Sequence, residues 1–582
     1  MTSWKFDWAD ESKFELNRES MNEDVSEFKK KWSNNSFTNN SKLLKSSLID
    51  YESIWKNHGY GGEEGYYYWL LNQLNLNDKK IRSKLKSVSD FTRDNFNKLT
   101  FFRITLGKLS EKKQNGFLKD KELSDYSKFL KDIFDTSKYR LSETEEKIMS
   151  LKQDSGYSMW KKMLSSLISK ETRMIDGEEK TFEQLISDTL SEDKKVRTHA
   201  KDNINEILDK YSEVAENEIN AILNTYEVND KIRGYSRADS ARLLSDSVDE
   251  KFVDTLVKTV SDNFDISTKY YDLKSKIMNQ KLGYHEKSAQ IGKLEKEYSF
   301  DESKRLVGKV LNNLDSEFKE IFDKFEDGKL DVYPSIGKKG GAFCVHMIKK
   351  LPTYILLNHT NDLSSVKTLA HEVGHGINNE LTRDKQNEIY FGTATSTAEV
   401  ASTFFEDFVF EEILKKCNDE EKLILMIQKL GDEISTIMRQ IAAYNFETEL
   451  HTEYRKNKYL SKEEIGLIFK QNMKKYLGDN VDCSWCDNWW IYWSHFRNRF
   501  YVYSYASGLL ISKSLQRKVR KDKKFVGEVK KFLAAGTSKT PEEIFSEMGI
   551  DIYSEEFWKE GLNEINETLK ETISLAKKLG KI

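Results

Sequence analysis

The chain contains only three prolines in 582 residues, Pro334, Pro352 and Pro541. Proline lacks the backbone N–H that a helix interior needs and clashes with the preceding turn, so its scarcity removes the commonest cause of helix termination. Long stretches rich in Lys, Glu, Leu and Ser, such as residues 125–154, repeat apolar side chains at i, i+3, i+4 and i+7. This is the spacing of an amphipathic helix. The sequence therefore predicts a mainly α fold.

Charge and hydropathy exclude several classes of protein. The net charge is -3, and charged residues of both signs make up 32% of the chain, so no basic field is available to follow a phosphate backbone. No apolar run approaches the roughly 20 residues that cross a bilayer, and the first residues are acidic and polar, unlike a secretory signal. We therefore expect a cytoplasmic protein that binds neither nucleic acid nor membranes. Its oligomeric state is left open.

Cys483 and Cys486 form a C-x-x-C pair, and the chain has four cysteines in all. Four cysteines are too few for a disulfide framework in so long a chain, which agrees with a reducing compartment. A structural zinc site of this type needs two further Cys or His ligands at matching spacing, and the sequence has no second C-x-x-C. We therefore expect two free thiols.

The helical pattern is interrupted between residues 330 and 358. Two apolar runs, "AFCVHMI" and "TYILLN", flank a short polar connection, which predicts a small β-hairpin. Glycines precede the first run at Gly337, Gly340 and Gly341. They form either a flexible turn or a place where an extended peptide adds to the sheet edge. On the second interpretation, Gly340, Gly341 and Ala342 bind substrate.

The segment "TLAHEVGHGINNE" follows the hairpin and contains an H-E-x-x-H motif formed by His371, Glu372 and His375. On a helix the two histidines are one turn apart on the same face, so both imidazoles can reach one metal ion. Glu372 then lies beside the ion, where it can take a proton from water. Composition alone would produce this motif in on the order of one such chain in a hundred, so a chance helix is the alternative.

A catalytic zinc ion needs a third protein ligand, and the candidate is Glu399, which lies 28 residues after His371 on the next predicted helix. The small residues Ala398, Ala401 and Ser402 would let this helix lie close against the first. As an alternative, Ser396 and Glu399 fit a capping box, in which the carboxylate only closes a helix N-terminus.

Three further residues near the motif have two interpretations each. Glu406 lies two turns after Glu399 and either fixes a ligand imidazole or is a solvated surface residue. His346, on the predicted hairpin, and His359, in a polar turn, are close to the motif in sequence. Each histidine is either structural or a metal ligand, and we favour the structural interpretation for both.

An aromatic stretch near the C-terminal end of the chain, "NWWIYWSHFRNRFYVYSYASG", contains His495, Tyr501, Tyr503 and Tyr505. Its tryptophans are typical of a core. Imidazole N–H and phenol O–H groups in a water-poor cleft can stabilise the oxyanion that forms when water attacks a carbonyl. His495 with Tyr503 or Tyr505 is the candidate set, and the sequence does not choose between the two tyrosines.

Four segments together resemble a known family: "LDVYPSIGKKGGAFC", "TYILLNHTNDLSSVKTLAHEVGHGINN", "AEVASTFFE" and "HFRNRFYVYSYASG". The chain resembles the oligoendopeptidase F type members of the thimet oligopeptidase family of zinc metallopeptidases, strongly over about residues 330–510 and more weakly from about residue 200. The resemblance implies an elongated helical body with a small β-sheet beside the H-E-x-x-H helix and a deep channel for short unstructured peptides.

The resemblance also implies roles for residues. One Zn²⁺ ion per chain would be bound by His371, His375 and Glu399, with Glu372 as general base. His495 and the tyrosines after it, including Tyr501 as a substrate contact, would match the substrate-binding and transition-state donors of the family.

The function expected from these features is a zinc-dependent endopeptidase that cleaves short oligopeptides. A zinc carboxypeptidase or dipeptidyl carboxypeptidase, and a catalytically silent peptide-binding protein, are the alternatives. We predict an N-terminal helical region over residues 1–110, a helical lid-like domain over 111–200 and the zinc peptidase catalytic domain over 201–582.

Overall fold

The structure, a computed structural model, describes residues 3–292, 294, 296–394 and 397–582. Twenty-six α-helices and seven short strands lie in this part of the chain, which confirms the predicted mainly α class. None of the described helices combines the length and apolar composition that crossing a bilayer requires.

The first thirteen helices are α1 (Phe14–Trp32), α2 (Ser41–His58), α3 (Gly62–Leu74), α4 (Lys79–Asn97), α5 (Thr100–Gly107), α6 (Glu111–Lys119), α7 (Ser127–Ser137), α8 (Glu143–Gln153), α9 (Met159–Ile168), α10 (Phe182–Asp188), α11 (Lys194–Lys210), α12 (Ser212–Arg233) and α13 (Ser240–Ser245). The remaining helices are α14 (Glu250–Ser261), α15 (Asp265–Ile277), α16 (Phe300–Leu314), α17 (Ser316–Phe325), α18 (Leu363–Lys385), α19 (Ala398–Leu414), α20 (Asp419–Thr436), α21 (Met438–Asn457), α22 (Lys462–Leu477), α23 (Tyr503–Lys521), α24 (Val526–Ala534), α25 (Pro541–Glu547) and α26 (Glu555–Lys578). The strands are β1 (Thr172–Ile175), β2 (Glu178–Thr181), β3 (Leu282–Gly283), β4 (Leu330–Asp331), β5 (Phe343–Val345), β6 (Tyr354–Leu356) and β7 (Val481–Asp482).

The chain divides into two compact units, each built from three separate segments. The first unit comprises Met1–Lys138, Lys296–Glu412 and Lys518–Met548, and the second comprises Tyr139–Glu295, Ile413–Arg517 and Gly549–Ile582. The N-terminal helices α1 to α7 therefore belong to the same unit as the H-E-x-x-H helix. The predicted functional domains, with boundaries at residues 110 and 200, stay a prediction.

A three-stranded sheet in the first unit lies beside the H-E-x-x-H helix α18. Its order is β4-β6-β5, with β4 parallel and β5 antiparallel to β6. The β5–β6 pair, in which Phe343 faces Leu356 and Val345 faces Tyr354, confirms the predicted hairpin. On α18, Asn379 donates a hydrogen bond to Cys344 Sγ of β5 at 3.4 Å. The sheet therefore has β5 as an edge strand next to the helix.

Helix α18 begins and packs as its sequence predicts. The side chain of Asp362 accepts a hydrogen bond from the Ser365 N–H at 2.7 Å and caps the helix N-terminus, which satisfies one of the donors that every helix start leaves open. Arg383 and Lys385 lie in the last turn, where positive charge is favourable. The fully buried apolar residues of this helix are Val366, Leu369, Ala370, Val373 and Ile377. This stripe anchors α18 in the core and leaves its histidine face available.

The N-terminal segment holds the hairpin from the other side. The Tyr66 hydroxyl on α3 donates to the carbonyl oxygens of Val345 and Pro352 at 3.0 and 2.9 Å. The Trp4 indole N–H donates to the Ile355 carbonyl at 2.9 Å. Because both anchors are buried or partly buried, they fix the hairpin against the N-terminal helices.

Candidate active site

His371 and His375 lie one turn apart on α18, with ring centroids 4.9 Å apart. Both present Nε2 to the same carboxylate oxygen, because Glu399 Oε2 lies 3.3 Å from His371 Nε2 and 3.6 Å from His375 Nε2. One ligand atom from each of the three residues lies within 4.8 Å of the others. Among the described residues, this is the one group of three or more His, Cys, Asp or Glu side chains with metal-binding geometry.

The donor set of His371, His375 and Glu399 fits a zinc ion. Zinc binds imidazole nitrogen and carboxylate oxygen at about 2.0 to 2.2 Å in tetrahedral geometry, which separates neighbouring ligand atoms by roughly 3.3 to 3.6 Å. The two separations from Glu399, 3.3 and 3.6 Å, lie in this range. Two histidines and one carboxylate also form a known ligand set of catalytic zinc sites with an open fourth position.

Glu399 is the second residue of α19, and its carboxylate points to the histidines of α18. Its Oε2 also accepts a hydrogen bond from the Ser402 hydroxyl at 3.1 Å. Ser396, the partner of Glu399 in the capping-box interpretation, lies outside the described residues. The carboxylate therefore has metal-ligand geometry, whatever closes the N-terminus of α19.

A glycine in the motif brings the two helices together. A Cβ atom built on Gly374 would lie 2.7 Å from Ser402 Cα and 2.9 Å from the Ala401 carbonyl oxygen. Contacts this short involve the backbone of α19, which cannot rotate away as a side chain can. The small residues at positions 374, 401 and 402 therefore let the helices approach closely enough for Glu399 to reach both imidazoles.

Replacing Gly374 by alanine is expected to weaken zinc binding and destabilise the first unit, because α19 must move away from α18. Overpacking of this kind costs about 1 to 3 kcal/mol of folding free energy. Urea unfolding and zinc titration of the purified variant measure both effects. Gly116→Ala on α6 is the matched control, because a Cβ built there meets nothing within 4 Å. Wild-type zinc affinity and stability in Gly374→Ala would show that the close approach is not needed.

Glu406 contacts the ring nitrogen of His371 that does not face Glu399. Its Oε2 lies 3.3 Å from His371 Nδ1, so the carboxylate can hold the ring with Nε2 directed to Glu399. Lys367 lies 3.5 Å from the other carboxylate oxygen. A carboxylate that bonds to the second ring nitrogen of a metal-binding histidine fixes the orientation of the ring and raises its basicity. The sequence spacing of Glu406 suggested this role.

The charges of the cluster shift the pKa of each ligand. Burial lowers the pKa of His371, but hydrogen bonds to Glu399 and Glu406 outweigh burial and raise it to about 10. Burial, together with the neighbouring His371, lowers the pKa of His375 to about 4. Burial raises the pKa of Glu399, but the two histidines outweigh burial and lower it to about 2. Glu399 is therefore ionised at neutral pH, as a ligand must be.

Glu372 is the buried acid of the motif, with 6% of its surface exposed. Burial raises its pKa to about 7, with Glu399 adding to the shift and His371 and the Cys344 backbone N–H opposing it. A carboxyl group with a pKa near the working pH can both accept and return a proton. This is the property that a general base in this position needs.

Three of the residues predicted to bind substrate, Gly340, Gly341 and Ala342, lie at the start of the hairpin. Gly341 has a φ of +76°, and a Cβ on Gly340 or Gly341 would meet nothing within 4 Å. The Asn358 side chain donates to the carbonyl oxygens of Lys339 and Gly341 at 2.9 and 2.7 Å. Ala342, which follows, precedes edge strand β5 and is half-buried. The glycines therefore leave room beside a segment that Asn358 holds in place.

The two nearby histidines differ in their surroundings. His359 is buried, its Nε2 lies 3.1 Å from the Ser303 hydroxyl, and its Nδ1 accepts from the Asn361 N–H at 3.2 Å. These contacts confirm its structural interpretation. The half-buried His346 packs its ring edge-on against Phe391 with centroids 4.8 Å apart, and burial lowers its pKa to about 4.

His495 and Tyr505 form a hydrogen-bonded pair in the second unit. The Trp493 indole N–H donates to His495 Nδ1 at 3.0 Å, and His495 Nε2 lies 3.1 Å from the Tyr505 hydroxyl oxygen. Burial lowers the pKa of His495. Because Nδ1 accepts, the neutral ring carries its proton on Nε2 and donates it to the Tyr505 oxygen. Tyr501 lies against both residues, with ring centroids 6.2 Å from His495 and 5.4 Å from Tyr505.

Tyr503 has a different environment. It is fully buried, and its hydroxyl donates to Asp246 Oδ2 at 2.7 Å. Burial raises the pKa of Tyr503 well above its usual value. The Tyr503 hydroxyl is therefore already hydrogen-bonded within the buried interior of the second unit. Of the two tyrosines that the sequence left open, Tyr505 is the one paired with His495.

Cys483 and Cys486, which the sequence predicted to be free thiols, are free and buried. Sequence reasoning missed Gly374 and Asp246. A glycine within H-E-x-x-H that faces small residues on the next helix was the available signal for the first. For Asp246, which lies 257 residues from Tyr503, the sequence carried no signal.

A mainly α fold that brings a glutamate from one helix to an H-E-x-x-H motif on the preceding helix is typical of metallopeptidases. The chain belongs to peptidase family M3, whose family model matches residues 188–564. A second model, described as oligopeptidase F, matches residues 106–170. The resemblance drawn from the four sequence segments is thus confirmed, and membership of this family implies a peptidase.

Individual relatives agree with this assignment. The chain is 27% identical over 531 residues to an oligoendopeptidase F homolog of Borreliella burgdorferi, covering 88% of this chain and 87% of the relative. It is 27% identical over 480 residues to oligopeptidase PepF of Bacillus subtilis, covering 79% and 71% of the two chains.

Solved structures share the fold. A Chlamydophila abortus protein assigned as a peptidase has a TM-score of 0.86 at 23% identity, covering 99% of this chain and 98% of that one. The oligoendopeptidase-F of Enterococcus faecium has a TM-score of 0.72 at 18% identity, covering 97% and 99%.

Proposed function

We propose that the chain is a zinc-dependent endopeptidase that cleaves short unstructured oligopeptides in the cytoplasm. The observation that carries the proposal is the convergence of His371, His375 and Glu399 on one point, with the buried Glu372 next to His371 in the chain. The relatives named oligoendopeptidase F and oligopeptidase support internal cleavage of short peptides.

Glu372 performs the proton transfers of the chemical step. His371, His375 and Glu399 would hold the zinc ion, which when bound would polarise the scissile carbonyl and lower the pKa of an attacking water. Glu372 accepts a proton from that water on its carboxylate and later delivers it to the leaving amine. Burial raises the pKa of Glu372 and so favours a carboxyl group that takes up the proton and passes it on.

The hairpin aligns the peptide. Strand β5 pairs with β6 alone among the described strands, so its main-chain groups that face away from β6, apart from the Cys344 N–H that bonds to Glu372, can pair with an added strand. Gly340, Gly341 and Ala342 extend this edge and, without bulky side chains, let the backbone of a peptide approach. Main-chain recognition of this kind accepts many sequences.

By the family resemblance, His495 and Tyr505 act on the oxyanion: Tyr505 donates a hydrogen bond to it, and His495 orients the Tyr505 hydroxyl through its Nε2–H. Tyr505→Phe is therefore expected to lower kcat by about 10²- to 10³-fold, the usual effect of losing one such donor, with little change in stability. Tyr503→Phe is expected to lose about 1 to 3 kcal/mol of stability, because buried Asp246 loses its donor, with a smaller fall in kcat. Peptide kinetics and urea unfolding of both variants test this. A larger kcat loss in Tyr503→Phe would reverse the assignment.

The proposal is tested by coupling metal content to cleavage. Purified protein is incubated with unrelated peptides of graded length, with and without a chelator, and products are read by mass spectrometry. We expect internal cuts that vanish with chelator and return with zinc, and that persist when the peptide C-terminus is amidated. Loss of cleavage on amidation would favour a carboxypeptidase. One bound zinc per chain without cleavage of any peptide would overturn the peptidase proposal in favour of peptide binding.

A further inference from the structure

The segment that leads into Tyr501 has an unusual backbone conformation. Arg499 and Phe500 have φ values of +44° and +53°, in the left-handed region that side chains other than glycine rarely adopt. Two such residues in succession persist only where surrounding contacts hold them. Residues 497–500 are therefore held in a conformation that the isolated segment would not favour.

Hydrogen bonds that are buried or partly buried fix both ends of this segment. The Arg497 carbonyl accepts from the hydroxyls of Tyr157 and Tyr226 at 2.5 and 2.9 Å. The Phe500 N–H donates to Glu447 Oε1 at 2.9 Å. The carbonyl groups of Asn498 and Arg499 lie between these contacts. Both accept hydrogen bonds from one further residue.

Arg242, on α13, is that residue. Its Nη2 donates to the Asn498 carbonyl at 3.1 Å and its Nε to the Arg499 carbonyl at 3.2 Å. The same guanidinium lies 5.5 Å from the centroid of the Tyr501 ring, within the range of a cation–π interaction. One planar group thus holds the strained backbone and the first tyrosine after it.

The remaining donor of the guanidinium contacts Asp246, which in turn contacts the start of helix α23. Arg242 Nη1 lies 3.4 Å from Asp246 Oδ1, and Asp246 Oδ2 accepts the Tyr503 hydroxyl at 2.7 Å. Arg242 therefore connects the backbone before Tyr501 to the residue that begins the helix carrying Tyr505. A lysine could supply the charge but not three directed donors in one plane.

We propose that Arg242 is a positioning residue that holds Tyr501 and Tyr505 in the arrangement used for cleavage. This inference rests on the proposed peptidase function, in which Tyr505 donates to the oxyanion. Arg242 acts through the backbone of residues 498 and 499 and through the Tyr501 ring. Its loss lets the segment relax away from the left-handed conformation and displaces both hydroxyl groups.

The test compares Arg242→Gln and Arg242→Lys with the wild-type enzyme. Each variant is measured for kcat and KM on a cleaved peptide, and for hydrogen exchange of the amides in residues 495–505. Arg517→Gln is the matched control, because Arg517 lies on the same helix as Tyr505 and pairs with the exposed Glu567 at 3.2 Å. Arg242→Lys retains the charge beside Asp246 and serves if the glutamine variant does not fold.

We expect kcat to fall by about 100-fold in Arg242→Gln, the effect of a misplacement of about 1 Å, and by less in Arg242→Lys, with KM nearly unchanged. Exchange should rise in residues 495–505 and remain at the wild-type level elsewhere. Wild-type kcat and exchange in both variants, or a rise in exchange throughout the second unit, would overturn the proposal. If the wild-type enzyme cleaves no peptide, the peptidase proposal fails, and the exchange data alone decide whether Arg242 holds the segment.

Discussion

The Glu372→Gln variant is expected to bind one zinc ion per chain and to cleave peptides about 10²- to 10⁴-fold more slowly than the wild-type enzyme. Glutamine has nearly the same shape as glutamate, so the buried site keeps its packing. Its amide cannot accept a proton from water and return it to the leaving amine. Because Glu372 is not one of the three converging side chains, we expect the variant to retain its zinc content while its turnover falls.

Metal analysis after dialysis and single-peptide kinetics measure the two quantities. Glu411→Gln on α19 is the control, because the half-buried Glu411 pairs with Arg520, so the same substitution removes a carboxylate outside the cluster. A Glu372→Gln enzyme that retained a substantial fraction of wild-type cleavage would refute the general-base assignment.

The Glu399→Gln variant is expected to lose zinc and, with it, peptide cleavage. The carboxylate is the only anionic member of the ligand set and is held ionised, with a pKa lowered to about 2. The neutral amide is a weaker ligand and removes the charge that offsets the ion. The loss in zinc affinity should exceed the 10- to 100-fold that is typical when a residue behind a ligand is replaced.

Glu406→Gln provides that smaller reference effect, because Glu406 contacts His371 Nδ1 rather than the converging point. Competition titrations with a chromophoric chelator should give zinc affinities in the order Glu411→Gln, Glu406→Gln and Glu399→Gln, from strongest to weakest. Equal affinity of Glu399→Gln and Glu411→Gln would favour the view that Glu399 only caps its helix.

The parts of the fold that the sequence predicted are those with short-range signals. The H-E-x-x-H spacing is a helical period, and Val366, Val373 and Ile377 supply the buried stripe beside it. The β5–β6 hairpin was predicted because two apolar runs flank a short polar connection. Both features depend on residues that are neighbours in the sequence, so their pattern is visible without the tertiary structure.

What the sequence did not predict depends on distant residues. Strand β4 pairs in parallel with β6, and such a register leaves no local signature. The hydroxyl of Tyr503 is taken by Asp246, far earlier in the chain, so periodicity alone could not separate Tyr503 from Tyr505. Gly374 needed the backbone of Ser402 as its partner, and the closeness of two helices is a property of their packing.

The proposed metal centre is also local in the chain, although the unit around it is assembled from three segments. The three proposed ligands and Glu406 lie on the consecutive helices α18 and α19. Bringing these side chains together therefore requires closing only the one loop that connects the two helices. The entropy of closing a flexible loop grows only logarithmically, by about 0.6 kcal/mol for each doubling of its length. Lengthening the connection between the two helices therefore costs little in entropy, provided that its buried residues Tyr390 and Phe391 keep their packing. The proposed zinc ligands need the contact at Gly374, whereas loop entropy does not fix the length of the connection between their helices.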